Sequence, residues 1–170
     1  MSNIRQTIDF LRREWAQPRE AIHRGEKCPF LLACSFAEPI GGPLEFPFRL
    51  PNDVLEFWHA TRHAALFKDQ QYGQWGVEML EPTEALSETS RQVTARPRDF
   101  FDSDLVLARF FGDSDLVVLG CNPNQSDYGS VTIALPIDKR SDWPTVASSL
   151  GEFLSRLIEA QGDKYWEVRN

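Results

Sequence analysis

Three short apolar segments, 105–111, 116–121 and 130–135, follow one another with little between them. The connections are Gly112-Asp113-Ser114-Asp115 and 122–129, which reads Asn-Pro-Asn-Gln-Ser-Asp-Tyr-Gly. Both are rich in residues that turn the backbone, because Gly supplies unusual φ values and Asp and Asn bond their own main chain. Strand-length apolar runs joined this way predict an antiparallel meander. Asp102-Ser103-Asp104-Leu105-Val106 recurs as Asp113-Ser114-Asp115-Leu116-Val117, eleven residues on. One strand plus one turn has about that period, so the echo is a hairpin rhythm and not a solenoid repeat.

The rest of the chain supplies helices for this sheet. Ile4, Ile8, Leu11 and Trp15 share one face of a helix predicted over 3–16, with Ser2 or Asn3 as its cap and Pro18 as its stop. Residues 17–29 read as polar and irregular, and 30–36 as a short strand. Pro39, Gly41, Gly42, Pro43 and Pro47 punctuate a loop, after which a helix is predicted from about 52 to 63. Residues 64–72 are ambiguous, 73–80 read as a strand, and Pro82 opens a short helix containing Glu84, Ala85, Leu86 and Glu88. The last helix is the firmest expectation. Ser149 and Glu152 form a capping box, and Leu150, Phe153, Leu154, Leu157 and Ile158 make one apolar face that ends before Gly162. Helices at both ends of an antiparallel sheet predict an α+β fold in a single domain spanning 1–170. At 170 residues, 42% apolar and 25% charged, the composition excludes disordered, collagen-like and coiled-coil chains. A chain of this length buries roughly 70% of its unfolded surface, and no disulfide or metal is needed to hold it.

The N-terminal segment is interrupted by Arg5, Arg12, Arg13 and Glu14, which is unlike a signal peptide, and no apolar run has the length of a membrane span. Three cysteines, Cys28, Cys34 and Cys121, fit a reducing compartment better than a disulfide framework. These features predict a cytoplasmic protein without membrane attachment. A net charge of −7 argues against nucleic acid as a partner, since affinity for it comes largely from cations that displace phosphate counterions.

No catalytic or cofactor motif emerges. His59 and His63 stand four apart on the predicted helix and would share a face, but Ala60 occupies the place where a zinc protease needs its glutamate. Cys28 and Cys34 are too far apart for a zinc knuckle. Cys121 follows a strand without a nucleophile signature, and a free cysteine in a sheet is usually a small buried apolar residue. An enzyme with a site assembled from distant residues, such as His59, His63 and Cys121, is a further alternative. No glycine-rich phosphate loop is present, and no cofactor is expected.

The acidic residues are more suggestive. Between 99 and 142 eight aspartates face only Arg109, Lys139 and Arg140, so this stretch carries −5 of the chain's −7. Aspartates that cap turns are one reading; a metal site is another, though no EF-hand spacing occurs. The third reading is a docking surface for a basic protein, with Asp99, Asp102, Asp104, Asp113 and Asp115 as partner-binding residues. Phe100, Phe101, Phe110, Phe111 and Tyr128 lie nearby, as aromatic anchors do in interfaces, although most such rings belong to a core.

Leu50-Pro51 opening an amphipathic helix, the strand Gly76-Val77-Glu78-Met79-Leu80 with a short helix after it, and the strand–turn–strand from 105 to 119 together resemble the SUKH superfamily, the Smi/Knr-like proteins. The end of the chain resembles it most. Residues 129–135 lead through a polar connection to Val146-Ala147-Ser148-Ser149-Leu150-Gly151-Glu152-Phe153-Leu154. The resemblance covers about 50–160. It implies a twisted sheet flanked by helices and a binding role without catalytic residues. The implied role is that of an immunity protein that neutralises a cognate bacterial toxin, often a nuclease or deaminase. A regulatory scaffold of the Smi/Knr kind, with no toxin partner, is the alternative.

Overall fold

The structure is a computed structural model, and it describes residues 3–168. Helix α1 (Ile4–Glu14) starts at Asn3, whose side chain accepts from the Arg5 N–H at 2.8 Å; Ser2 lies outside the described residues. Two-residue strands β1 (Ile22–His23) and β2 (Glu26–Lys27) form a small hairpin where an irregular segment was expected. The turn is Arg24-Gly25, both at positive φ (54° and 80°). That backbone matches the twist of paired strands. Two-residue strands are too short for an alternating pattern to reveal.

The main sheet has seven strands in the order of the sequence: β3 (Leu32–Phe36), β4 (Ala64–Asp69), β5 (Val77–Met79), β6 (Asp104–Phe110), β7 (Leu116–Gly120), β8 (Val131–Ala134) and β9 (Thr145–Ala147). Every neighbouring pair is antiparallel. The expected meander is β6–β7–β8, and the ambiguous stretch after residue 63 supplies β4. Helices α2 (Asn52–Ala60) and α3 (Pro82–Ala95) are inserted between strands, and α4 (Leu150–Glu159) follows β9.

Two helix boundaries depart from expectation for tertiary reasons. Helix α2 stops at Ala60, because Thr61 is extended and its hydroxyl donates to the Ala37 carbonyl at 2.7 Å. Helix α3 runs seven residues beyond Glu88, to Ala95, before Pro97 ends the segment. Its Thr89 hydroxyl accepts from the Val106 N–H at 2.8 Å, at the register shift in β6, so the helix is tied to the sheet along its length.

Register assigns the two faces. Arg109 pairs with Glu78, and the Phe110 side chain points the other way. Glu84 of α3 lies 3.5 Å from Arg109, which puts α3 on the first face. The apolar stripes of α1 (Ile4, Ile8, Leu11), α2 (Val54, Phe57, Trp58) and α4 (Leu150, Phe153, Leu154, Leu157) are buried in one core with the second face. The capping box forms in a shifted version. Ser149 accepts from the Glu152 N–H at 3.1 Å, and the Glu152 carboxylate reaches the N–H of Ser148 instead of Ser149. After α4, Gly162 adopts φ 86°, and a Cβ there would stand 2.4 Å from the Cβ of Phe67. Phe67 is itself left-handed (φ 51°) at a register shift between β3 and β4, so only glycine fits against it.

Candidate functional site: three surfaces around the sheet

The five aspartates of the acidic stretch do not gather in one place. Asp104 begins β6, and Asp113 and Asp115 lie in the turn after it; a seven-residue strand separates them by about 20 Å. The first group forms a compact charge network. Asp104 is 1% exposed and receives the Arg140 guanidinium on both oxygens, one bond at 3.0 Å. It also accepts from the Phe101 N–H at 2.7 Å. Asp99 accepts from the Arg140 N–H (3.2 Å) and from Arg96 (3.0 Å). Arg96 then reaches the carbonyls of Leu135 (3.0 Å) and Asp138 (2.6 Å), and the Trp143 indole N–H also donates to Asp138 (3.0 Å). Two arginines thus hold two aspartates and clamp the 135–138 loop. Asp102, by contrast, is exposed.

The turn after β6 has a different balance. Lys164 bonds Asp113 and lies 3.5 Å from Asp115 and 3.8 Å from Glu167. Burial opposes the lysine's charge, but the bond to Asp113 and the surrounding carboxylates outweigh it and raise its pKa. Asp115 is also pushed up, first by burial and then by the Asp113 charge. Asp113 holds the ammonium closely, whereas the half-buried Asp115 keeps the repulsion with a weaker share of the attraction. Arg24 bonds Asp163 at 3.0 Å and Glu167 at 3.5 Å, and Trp75 donates to the Gly162 carbonyl at 3.0 Å. These contacts fasten the tail, 161–168, across the turns at this end.

The third surface is an open groove of about 810 Å³ where α1, α2 and α4 begin. Asn52, Asp53, Glu56, Tyr128, Ser148 and Glu152 line it, and no Lys or Arg is among its described lining residues. Asp53 accepts from the Gly151 N–H at 3.1 Å, so one helix caps the next. Bonds from the Ser148 hydroxyl and N–H, with Arg156 beside them, lower the Glu152 pKa. Pro51, Gly129, Ser148 and Ser149, from some of the segments that carry the family resemblance, line this groove. Its acids Asp53 and Glu56 were missed because they are ordinary surface carboxylates on a helix. Glu152 was visible only as a cap.

The residues weighed for chemistry are separated or sealed. His59 is on α2, whereas His63 lies beyond the helix end, 3.2 Å from Glu78; the expected shared face does not exist. Glu78 is lowered chiefly by its bonds with Arg109. Cys28, Cys34 and Cys121 are buried and unpaired. Burial pushes the thiols of Cys34 and Cys121 up to about 12, the opposite of an activated nucleophile. Among the described residues no three His, Cys, Asp or Glu side chains converge on a metal-sized site. No described helix is long and apolar enough to cross a membrane. Of the rings near the acidic stretch, Phe100 and Phe110 are core, while Phe101 is 55% exposed under the Arg140 guanidinium, 4.0 Å from its centroid. Arg96 lies outside the acidic stretch, so the charge count does not point to it, and Ile137 is a lone apolar residue in a loop that carries no sequence pattern.

The family model described as the SMI1 / KNR4 family (SUKH-1) matches residues 44–156, well over half of the chain, and the chain belongs to that family. Membership supports a protein-binding role of the immunity or Smi/Knr-like kind. No curated protein matches the chain, and neither does any solved structure.

Proposed function

We propose that this member of the SMI1/KNR4 family is a non-catalytic, cytoplasmic binding domain that acts as an immunity protein, occluding a basic toxin such as a nuclease or deaminase. The observation that carries the reading is the helix-terminus groove, whose described lining holds Asp53, Glu56 and Glu152 and no cation. Arg156 pairs Glu152 from outside it, and Asp53 and Glu56 are left without a cationic partner in that lining. A cationic partner is the chemistry such a surface recognises, and a chain charge of −7 steers its approach. The buried thiols and the separated histidines support a role without catalysis. Three unpaired cysteines support a reducing compartment.

The five aspartates take unequal parts in this reading. Asp102 is exposed, which suits direct contact with a basic partner. Asp99 and Asp104 act through the arginines that they position. Asp113 and Asp115 contribute to the long-range field.

The purified chain, used as bait in extracts of the source organism at low and moderate salt, tests the proposal. Recovery of one basic protein that is toxic alone and harmless when co-expressed with this chain is the expected result. Recovery of a housekeeping complex favours a regulatory scaffold, and recovery of nothing contradicts a tight protein partner.

A further inference from the structure

Ile137 is 93% exposed, the most exposed of the large apolar side chains described, and Phe101 is 55% exposed. Single surface apolar residues are ordinary and need no explanation. These two differ in how they are held. Arg96 bonds the carbonyls on both sides of Ile137, at Leu135 and Asp138, while it also bonds Asp99. Arg140 bonds Asp99 and Asp104 and stacks on Phe101, whose own N–H is held by Asp104. One charge network therefore fixes the backbone that presents both side chains. Apolar groups held rigidly in water lose little conformational entropy when covered, as interface anchors do.

The charges around them indicate what covers them. Within the network two arginines offset two aspartates, so it presents little net charge. Outside it stand Asp102, Asp127, Asp138 and Asp142 against Arg98 and Lys139. A cleft of about 250 Å³ opens beside Phe101, lined also by Gln125, Asp127 and the Asp104–Arg140 pair. Its uncompensated group is a carboxylate, which suits a lysine or arginine side chain. The 121–129 loop joins this cleft to the helix-terminus groove, because Gln125 and Asp127 line one and Tyr128 and Gly129 the other.

We infer that the Ile137–Phe101 face is the anchoring part of the docking surface for a basic protein partner, with Ile137 and Phe101 as apolar anchors and the Asp127 cleft receiving a cationic side chain. The inference rests on the protein-binding reading and adds to its acidic groove the face that anchors the partner.

Site-specific photo-crosslinking in cells of the source organism tests it. A crosslinking phenylalanine analogue is placed in turn at positions 137 and 101, at position 56 in the groove, and at position 72 in the exposed turn before β5. The same basic protein attached at both 137 and 101, and absent at 72, is the expected result. That protein, once purified, binds Ile137→Asp at least about tenfold more weakly than wild type, while Ile137→Leu retains affinity and neither change shifts the melting temperature. Adducts at 56 or 72 with none at 137 and 101 overturn the assignment and leave the binding role standing. Adducts at none of the four positions overturn both.

Discussion

At one end of β6 two arginines meet two aspartates; at the other, one lysine meets three carboxylates. The repeated Asp-Ser-Asp-Leu-Val sequence supplies Asp104 to the first cluster and both Asp113 and Asp115 to the second, so the chemistry of each is set by what the fold brings to it. At the first end the planar guanidinium forks satisfy carboxylates and carbonyls together, and Asp104 can be buried without loss of its charge partner. At the second end Asp113 and Asp115 share one ammonium while Arg24 also reaches Glu167, and Asp115 remains repelled by its neighbour. The balanced cluster builds a rigid surface. The unbalanced one fastens a tail and leaves negative charge over.

This contrast predicts unequal responses to substitution. Asp104→Ala removes the carboxylate that holds Arg140 and the Phe101 N–H, and a urea-unfolding series is expected to show a loss of about 3 kcal/mol. A loss as small as that of an exposed ion pair would break the distinction between the two ends. At the opposite end Gly162→Ala drives a Cβ into Phe67 at a left-handed position, with an expected cost of about 2 kcal/mol in the same assay. Ser149→Ala tests the groove, where loss of the α4 cap should cost about 1 kcal/mol.

Asp115→Asn has the smallest effect and the opposite sign. The folded pKa of Asp115 lies above its unfolded value, so the stability tied to its protonated form is full below the unfolded pKa and is lost as pH rises through the folded one. At pH 7 the neutral amide should therefore stabilise the fold by about 0.5 kcal/mol or less. The advantage should shrink as pH falls through the folded pKa, and thermal melts across acid pH read the crossing.

What the sequence made legible follows local physics. The β6–β7–β8 meander was readable because turn formers sit directly between apolar runs. The α4 cap was readable because serine and glutamate stand at the spacing that satisfies free N–H groups. The end of α2 was not, since it depends on Thr61 reaching a carbonyl 24 residues away. With it went the expected histidine pair. The acidic stretch was visible as charge, but Arg96 lay outside it and its bonds to residues 135 and 138 are long-range. The split of the aspartates is implied by strand length alone; what each end gathers around them is tertiary.

The most direct test of the binding account is the association and dissociation rates of the recovered basic partner, measured across a salt series for wild type, Asp102→Lys and Ile137→Asp. The account predicts slower, less salt-sensitive association for Asp102→Lys and faster dissociation for Ile137→Asp. Wild-type kinetics in both variants at every salt concentration would contradict it.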